Sequence, residues 1–273
     1  MAVVNMVYVP VGNAGNATDP STGFGAVGYA YNIGKYEVTN AQYADFLKAK
    51  GGSNSGGIYY SGMASYGITQ SGGAGSYNYS VTSGYENLPV VFVTWFDAAR
   101  FCNWVGNGQG NGSMETGAYT LNGATSGIVT VNVGATVYIP TEDEWYKAAY
   151  YNGATSSYSL YPDGRNDIST ADANYSSSGP VNVSYGTPSS YGTYGQGGNA
   201  WEWNDAVLGS SWRGLRGGSW GGSTDLIQSS LRDSYGSSIE ASSVGFRVAS
   251  VPEPTTGILA MFASGVLLIR RKR

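Results

Sequence analysis

The pattern of apolar and polar residues predicts three helices separated by long polar stretches. In residues 41–50, Tyr43, Phe46 and Leu47 recur at i, i+3 and i+4, which is the spacing of one helical face. Asn40 stands directly before this segment, and we expect its side chain to cap the helix.

Two further helices are marked by a threonine that is followed three residues later by an acidic residue. These pairs are Thr94 with Asp97 and Thr141 with Glu144, and each has the spacing of a capping box. The first pair opens an apolar stripe that contains Cys102. We expect the three helices to pack on one shared core.

Short strands are expected in four places. Residues 1–11, 33–38 and 137–139 are rich in residues that favour strands, and apolar and polar residues alternate in 128–133. Segments this short indicate small sheets and not one extended sheet.

Two long segments, 51–84 and 152–195, contain Gly, Ser, Asn and Tyr without a helical or strand period. Loops of this length inside a domain are usually functional or held by ions. Their tyrosines indicate ordered loops, since disordered segments are poor in aromatic residues. Few helices, short strands and long loops together predict an α+β fold.

The composition favours one hydrogen-bonded, charge-poor domain over residues 1–250, followed by a tail at 251–273. Of the 273 residues, 41% are hydrophobic and only 12% are charged. Residues 1–250 contain ten Lys and Arg against seventeen Asp and Glu, a net charge of −7. A body this acidic, without a basic cluster, argues against binding to nucleic acid.

Histidine is absent from the chain, and Cys102 is the one cysteine. The sequence therefore excludes Ser-His-Asp and Cys-His nucleophiles, intramolecular disulfides and zinc sites built from Cys and His. Because Cys102 lies on the apolar face of its helix, we interpret it as a buried packing residue.

The tail combines Val251-Pro252-Glu253-Pro254, an apolar run at 257–269 and four basic residues at 270–273. Thirteen apolar residues are fewer than the roughly 20 that cross a bilayer as a helix. The tail resembles a PEP-CTERM sorting signal. This resemblance implies an exosortase partner, transient contact with the inner membrane, and export to the surface or matrix of a Gram-negative bacterium.

The alternative for the tail is a short C-terminal membrane anchor with snorkelling arginines. In both cases membrane contact is expected through this segment alone, before processing. We expect an export signal upstream of this sequence in the intact gene, because residues 1–11 lack the features of a signal peptide.

Four blocks in the body, residues 33–43, 88–104, 139–145 and 198–247, occur in an order similar to that of the formylglycine-generating enzyme (sulfatase-modifying factor) family. They include Glu-Val-Thr-Asn, Pro-Thr-Glu-Asp-Glu-Trp, Gly-Asn-Ala-Trp-Glu-Trp and Arg-Gly-Gly-Ser-Trp. The resemblance implies a C-type-lectin-like α+β fold that is stabilised by calcium.

The chemistry that the resemblance implies is oxidation of a substrate cysteine by copper held between two thiolates, which are soft ligands suited to Cu(I). Those thiolates would lie between residues 217 and 247, where this chain has no cysteine. Gly222 and the region of Thr224 stand near their expected places. A second branch of the superfamily uses three histidines to hold iron, and this chain has none. We therefore expect no copper site.

The resemblance also implies site residues. Ser219 and Arg232 match positions near the cleft of the family, although Arg232 is equally expected to pair with a carboxylate or with carbonyl groups. The implied calcium ligands are Glu202 with the carbonyl groups of Gly198 and Ala200 in one site, and Asn174 with the carbonyl group of Tyr175 in another.

The first calcium site lacks one ligand, because Gly195 stands where a side-chain oxygen is usual. The alternative role for Glu202 is to accept hydrogen bonds from loop amides.

Two functions follow from these observations. The first is a non-catalytic surface domain whose loops at 57–85 and 152–195 bind a polysaccharide or a surface protein through tyrosine rings and hydroxyl groups. A purely structural role for those tyrosines is the alternative. The second function is a degenerate or divergent formylglycine-generating oxidoreductase that acts on a protein cysteine.

Overall fold

The computed structural model describes residues 3–54 and 56–252. Three α-helices are present: α1 (Asn40–Lys50), α2 (Trp95–Gly106) and α3 (Glu142–Tyr150). Each begins with a complete capping box, so the boxes predicted at Thr94 and Thr141 are confirmed.

The predicted cap of α1 was wrong by one residue. Thr39 caps this helix, because its hydroxyl accepts from the Gln42 amide while the Gln42 side chain accepts from the Thr39 amide. Asn40 lies inside the first turn, and its side chain donates to the carbonyl oxygens of Tyr66 and Tyr85 instead. It thereby joins α1 to the loop at 51–84.

Two four-stranded sheets form the rest of the framework. The first sheet contains β1 (Tyr8–Val11), β2 (Tyr31–Gly34), β5 (Val137–Tyr138) and β12 (Ala249–Ser250), and the second contains β8 (Trp201–Val207), β9 (Trp212–Arg216), β10 (Asp233–Gly236) and β11 (Val244–Gly245). The strand order of the first sheet is β1-β2-β12-β5, and every neighbouring pair is antiparallel. The order of the second is β10-β9-β8-β11, in which only β8 and β11 are parallel.

Two hairpins complete the strands, β3 (Ile68–Ser71) with β4 (Asn78–Val81), and β6 (Tyr151–Asn152) with β7 (Ser157–Tyr158). Strands are therefore found within or overlapping 1–11, 33–38 and 137–139, as predicted. The alternating segment 128–133 forms no strand. Within this segment, Asn132 Nδ2 donates to the Gly117 carbonyl oxygen and to Thr120 Oγ1, and no residue of 128–133 pairs with a strand.

The core lies where α1 and α2 meet the two sheets. Phe101 of α2 packs against Phe46 of α1 and against Phe246, with ring centroids 5.6 and 5.4 Å apart. Cys102 is fully buried beside Phe101, as predicted, and its burial raises the pKa of the thiol.

The two long loops are ordered, and tyrosine hydroxyl groups form hydrogen bonds within each of them. Tyr79 donates to the Gly51 carbonyl in the first loop, and Tyr185 donates to the Thr170 carbonyl in the second. A 3₁₀-helix at Ser61–Tyr66 adds a turn to the first loop. These features confirm the loop-rich α+β fold class.

No α-helix within the described residues combines the length and apolar character that a membrane crossing requires. The predicted sorting tail lies outside the described residues from position 253 onward.

Candidate functional site

The segment 217–223, here called the Trp220 turn, follows β9 and reverses the chain. Gly217 and Gly218 have φ values of +99° and +73°, which favour glycine. A Cβ atom on Gly218 would lie 2.8 Å from the Leu226 carbonyl oxygen. The Gly222 amide then donates to the Ser219 carbonyl oxygen at 3.0 Å and closes the turn.

Gly222, near the place expected for a family thiol, is closely packed. A Cβ atom there would lie 2.9 Å from Leu226 Cδ1, so the end of the Leu226 side chain would have to shift to admit a cysteine. Thr224 begins a second 3₁₀-helix, Thr224–Ile227. Cys102 is held in the core and offers no thiol to this turn.

The two residues predicted at a cleft lie in different surroundings. Ser219 is nearly buried in the Trp220 turn. Arg232 donates from Nε and Nη2 to both oxygens of Glu142, at 2.8 and 2.5 Å, and its guanidinium lies 5.3 Å from the centre of the Phe24 ring. Within the described residues no hydrogen bond joins Ser219 to Arg232, so the structure gives no contact that unites them.

Glu142 also anchors a second arginine. Arg216 donates from Nε to Glu142 Oε1 at 2.8 Å and from Nη1 to the carbonyl oxygens of Ser229 and Leu231. Glu142 is almost buried and Arg216 fully so. One carboxylate at the start of α3 therefore fixes the segment that follows the Trp220 turn.

Glu202 on β8 lies in a fully buried ion pair. Its oxygens accept from Arg247 Nε at 2.5 Å and Nη2 at 2.6 Å, and Oε2 also accepts from Trp145 Nε1 at 2.7 Å. Both charged side chains are 0% exposed. The alternative to calcium binding at Glu202 was hydrogen bonding. Glu202 does accept hydrogen bonds, but the donors are the side chains of Arg247 and Trp145 and not loop amides.

The calcium site implied at Glu202 remains a prediction, and the described residues around it bear on it as follows. Calcium takes six to eight oxygen ligands, and anionic carboxylates supply most of the attraction. Here Arg247 compensates the charge of Glu202, and Gly195 contributes no side-chain oxygen, but the carboxylate of Glu37 lies where a Cβ atom on Gly195 would be. Within 3–54 and 56–252, no three His, Cys, Asp or Glu side chains are grouped as a metal site.

Glu37 is a buried carboxylate in this region that the sequence prediction did not single out. Its Oε1 accepts from Asn199 Nδ2 at 2.9 Å, whereas its buried Oε2 has no hydrogen-bond partner among the described residues. Burial, together with the nearby charge of Glu202, raises the pKa of Glu37 to about 8. An acidic residue between Tyr36 and Val38 in an apolar segment was the signal in the sequence.

The second implied calcium set lies against the first. Asn174 forms an isolated parallel bridge with Gly198, and its Nδ2 donates to Asn199 Oδ1 at 3.1 Å. Its Oδ1 accepts from Ser177 Oγ at 2.6 Å. The two sets that the sequence separated by more than twenty residues thus form one hydrogen-bonded region.

Both long loops reach the Trp220 turn. From the first loop, the Tyr66 ring lies 5.6 Å from the Trp220 ring. From the second, the Ser177 amide donates to the Trp220 carbonyl oxygen at 2.7 Å, and the Ser176 amide donates to the Gly222 carbonyl oxygen at 2.8 Å. The loops that the sequence identified as candidate binding elements therefore converge on one position.

Comparison with known proteins bears on the fold and the family of the chain. The family described as "Sulfatase-modifying factor enzyme 1-like domain" matches residues 2–251. The serine/threonine-protein kinase pkn1 of Chlamydia caviae is 27% identical over 188 residues, which are 62% of this chain and 25% of that protein. The chain thus spans about a quarter of the length of the curated relatives it matches.

Two solved structures share the fold. Treponema denticola variable protein 1 superimposes with a TM-score of 0.63 at 22% identity, covering 92% of this chain and 98% of that one. The crystal structure of CarF gives a TM-score of 0.62 at 21% identity, covering 91% of this chain and 99% of that one. The family match extends over nearly the whole described body, so the chain belongs to the family of sulfatase-modifying factor enzyme 1-like domains.

Proposed function

We propose that this chain is a non-catalytic, exported surface domain that binds a polysaccharide or a surface protein at the Trp220 turn. The observation that carries the proposal is the convergence of the two tyrosine-rich loops on Trp220, through the Tyr66 ring and the Ser177 amide. Loops positioned by a rigid scaffold are the usual place for a binding site.

The surroundings of Gly222 support a role without copper. A soft metal needs thiolate or imidazole ligands, and the chain has no histidine and one buried cysteine. The Leu226 side chain lies where a side chain on Gly222 would extend. Arg232 forms an ion pair with Glu142, which supports a structural role for this arginine and not a role in binding a substrate.

Binding is tested with the purified full chain in mild detergent against exopolysaccharides and cell-surface extracts. We expect retention by at least one of these preparations, and reduced retention when Tyr66→Ala removes the first loop's contact with Trp220. The control is Trp212→Ala, which removes an exposed aromatic ring on β9, outside both loops. Absence of binding across the panel would remove the main support for the proposal.

The enzymatic alternative is tested separately. The chain is incubated with copper, oxygen and a cysteine-containing sulfatase peptide, and the peptide is analysed for an aldehyde by mass spectrometry. We expect no aldehyde and no stoichiometric copper by elemental analysis. Formation of the aldehyde would establish an oxidase and refute the binding role as the primary one.

Export through the tail is the remaining part of the proposal. It rests on the order of Pro252-Glu253-Pro254, the apolar run and the basic end. Co-expression with an exosortase is expected to release a product that lacks roughly the last 20 residues, and Glu253→Ala is expected to reduce this cleavage. An unchanged mass in the membrane fraction would favour a permanent anchor.

A further inference from the structure

Four aromatic rings form a continuous series that starts at the surface and ends at the Trp220 turn. Their order is Tyr60, Phe92, Tyr66 and Trp220, and successive ring centroids lie 5.2, 5.6 and 5.6 Å apart. Tyr60 is 40% exposed, Phe92 and Tyr66 are half-buried, and Trp220 is nearly buried. We call this series the aromatic stripe.

The rings are held in place by unusual backbone. A Cβ atom on Gly62 would lie 2.7 Å from the Tyr60 ring and 3.0 Å from the Phe92 ring, so both rings rest on glycine backbone. Phe92 has a φ of +61°, which is costly for a bulky residue. Strained residues persist where the surrounding structure enforces them, and they are concentrated at ligand sites.

Two other non-glycine residues with positive φ adjoin the same turn. Ser176, with φ +49°, donates to the Gly222 carbonyl oxygen. Asn199, with φ +60°, accepts from the Trp220 amide at 3.0 Å. Three of the eight such residues in the described chain therefore surround Trp220.

The polar atoms of the stripe are free, unlike those of most loop tyrosines. Within the described residues, Tyr60 Oη, Tyr66 Oη and Trp220 Nε1 have no hydrogen-bond partner, and none of them is a fully buried atom. By contrast, the hydroxyl groups of Tyr79 and Tyr185 bond to backbone carbonyls. Successive ring planes are inclined by 43°, 67° and 32°, so each ring has its own orientation, with unused donors and acceptors at the ring edges.

The charge of the stripe and of the body around it indicates which class of ligand this surface could bind. No side chain of the stripe is charged, and the exposed neighbours Ser61 and Ser65 add hydroxyl groups. The body carries a net charge of −7, which repels anionic polymers. A neutral sugar ring matches both features, because one face of C–H groups stacks on an aromatic ring and its hydroxyl groups bond at the edges.

We propose that the aromatic stripe is a stacking platform for a neutral glycan chain, with Tyr60 at its open end. This inference rests on the proposed binding function and assigns its ligand class and contact residues. Tyr60, Phe92 and Tyr66 would stack on the sugar rings, and Trp220 Nε1 would donate to a hydroxyl group at the inner end.

Affinity electrophoresis of the purified full chain tests this assignment. The gels contain a neutral polymer (dextran, a β-1,3-glucan or a galactomannan), anionic alginate or cationic chitosan. We expect retardation by at least one neutral polymer, and binding weakened about tenfold or more in Tyr60→Ala and Tyr66→Ala. Tyr60→Phe should retain the stacking and lose only part of the binding.

The matched control is Trp212→Ala, which removes an aromatic ring that is 49% exposed on β9. It should bind as the unaltered chain does, and circular dichroism should show that all variants are folded. Retardation only by alginate or chitosan, or equal binding by Tyr60→Ala, would overturn the glycan assignment. In those cases the binding function would survive, whereas failure to bind both the polymers and the surface extracts would refute both proposals.

Discussion

The ion pair between Glu202 and Arg247 and the aromatic stripe use their polar groups in opposite ways. Every oxygen of Glu202 accepts a hydrogen bond, and both charged side chains are excluded from solvent. In the stripe, the hydroxyl groups of Tyr60 and Tyr66 have no partner among the described residues. Satisfied polar groups in the interior hold the fold, whereas unused polar groups beside exposed rings are suited to a ligand.

The largest expected effect comes from breaking the buried pair. Arg247→Met leaves Glu202 as an uncompensated buried charge and should lower the free energy of unfolding by about 3–5 kcal/mol. Chemical denaturation measures the loss. The double variant with Glu202→Gln should recover part of it, because no isolated charge then remains buried.

The control for this prediction is Lys48→Met. Lys48 pairs with Asp45 at 2.8 Å on the exposed surface of α1, and loss of this pair should cost less than about 1 kcal/mol. Equal losses for Lys48→Met and Arg247→Met would contradict the central role assigned to the buried pair.

Glu37 gives the next largest effect, seen as a pH dependence. Because its pKa is raised to about 8 in the folded chain, the folded state favours the protonated acid. The stabilisation is therefore present below the unfolded pKa near 4.5 and is lost as pH rises toward 8, by an amount on the order of a few kcal/mol.

Glu37→Gln should remove the part of the decline that Glu37 contributes, since a neutral amide replaces the carboxyl group. The part contributed by Asp97, Asp205 and Glu240, whose pKa values are also raised, should remain. Free energies of unfolding measured from pH 5 to pH 9 for both chains would check it. Parallel pH profiles would show that Glu37 is not the group responsible.

Removal of a helix cap should have a smaller effect. Thr141 Oγ1 accepts from the Glu144 amide at 3.2 Å in the capping box of α3. Thr141→Ala should cost about 1 kcal/mol, whereas Thr141→Ser keeps the hydroxyl group and should cost less. Denaturation of the two variants side by side distinguishes the hydroxyl contribution from any other effect of the substitution.

The smallest effect on stability is expected in the stripe. Tyr60→Ala removes a ring that is 40% exposed and pairs only with Phe92 among the rings of the stripe, so the free energy of unfolding should fall by about 0.5–1 kcal/mol. Combined with weakened ligand binding, this result would separate the stripe from the buried framework. A loss comparable with that of Arg247→Met would assign Tyr60 a structural role.

Local patterns predicted the helices well and the strands less reliably. The capping boxes at Thr94 and Thr141 depend on residues three positions apart, so the sequence contains the whole interaction. A strand depends on a distant partner. The alternating segment 128–133 has no such partner and forms no strand, and its Val133 is fully exposed.

The candidate site shows the same division. The sequence identified the loops and the absence of the family's thiols, because composition and spacing are local properties. It did not show that Arg247 occupies both oxygens of Glu202, that Ser219 and Arg232 have separate surroundings, or that Glu37 is buried beside Gly195.

By itself, the sequence determined the family blocks, the starts of α2 and α3, the acidic and charge-poor body, and the lack of ligands for a soft metal. The tertiary structure decided which carboxylates are compensated and which aromatic rings meet at the Trp220 turn. The physical reason is that capping and composition act within a few residues, whereas ion pairing, burial and ring packing join residues far apart in the chain, such as Tyr66 and Trp220.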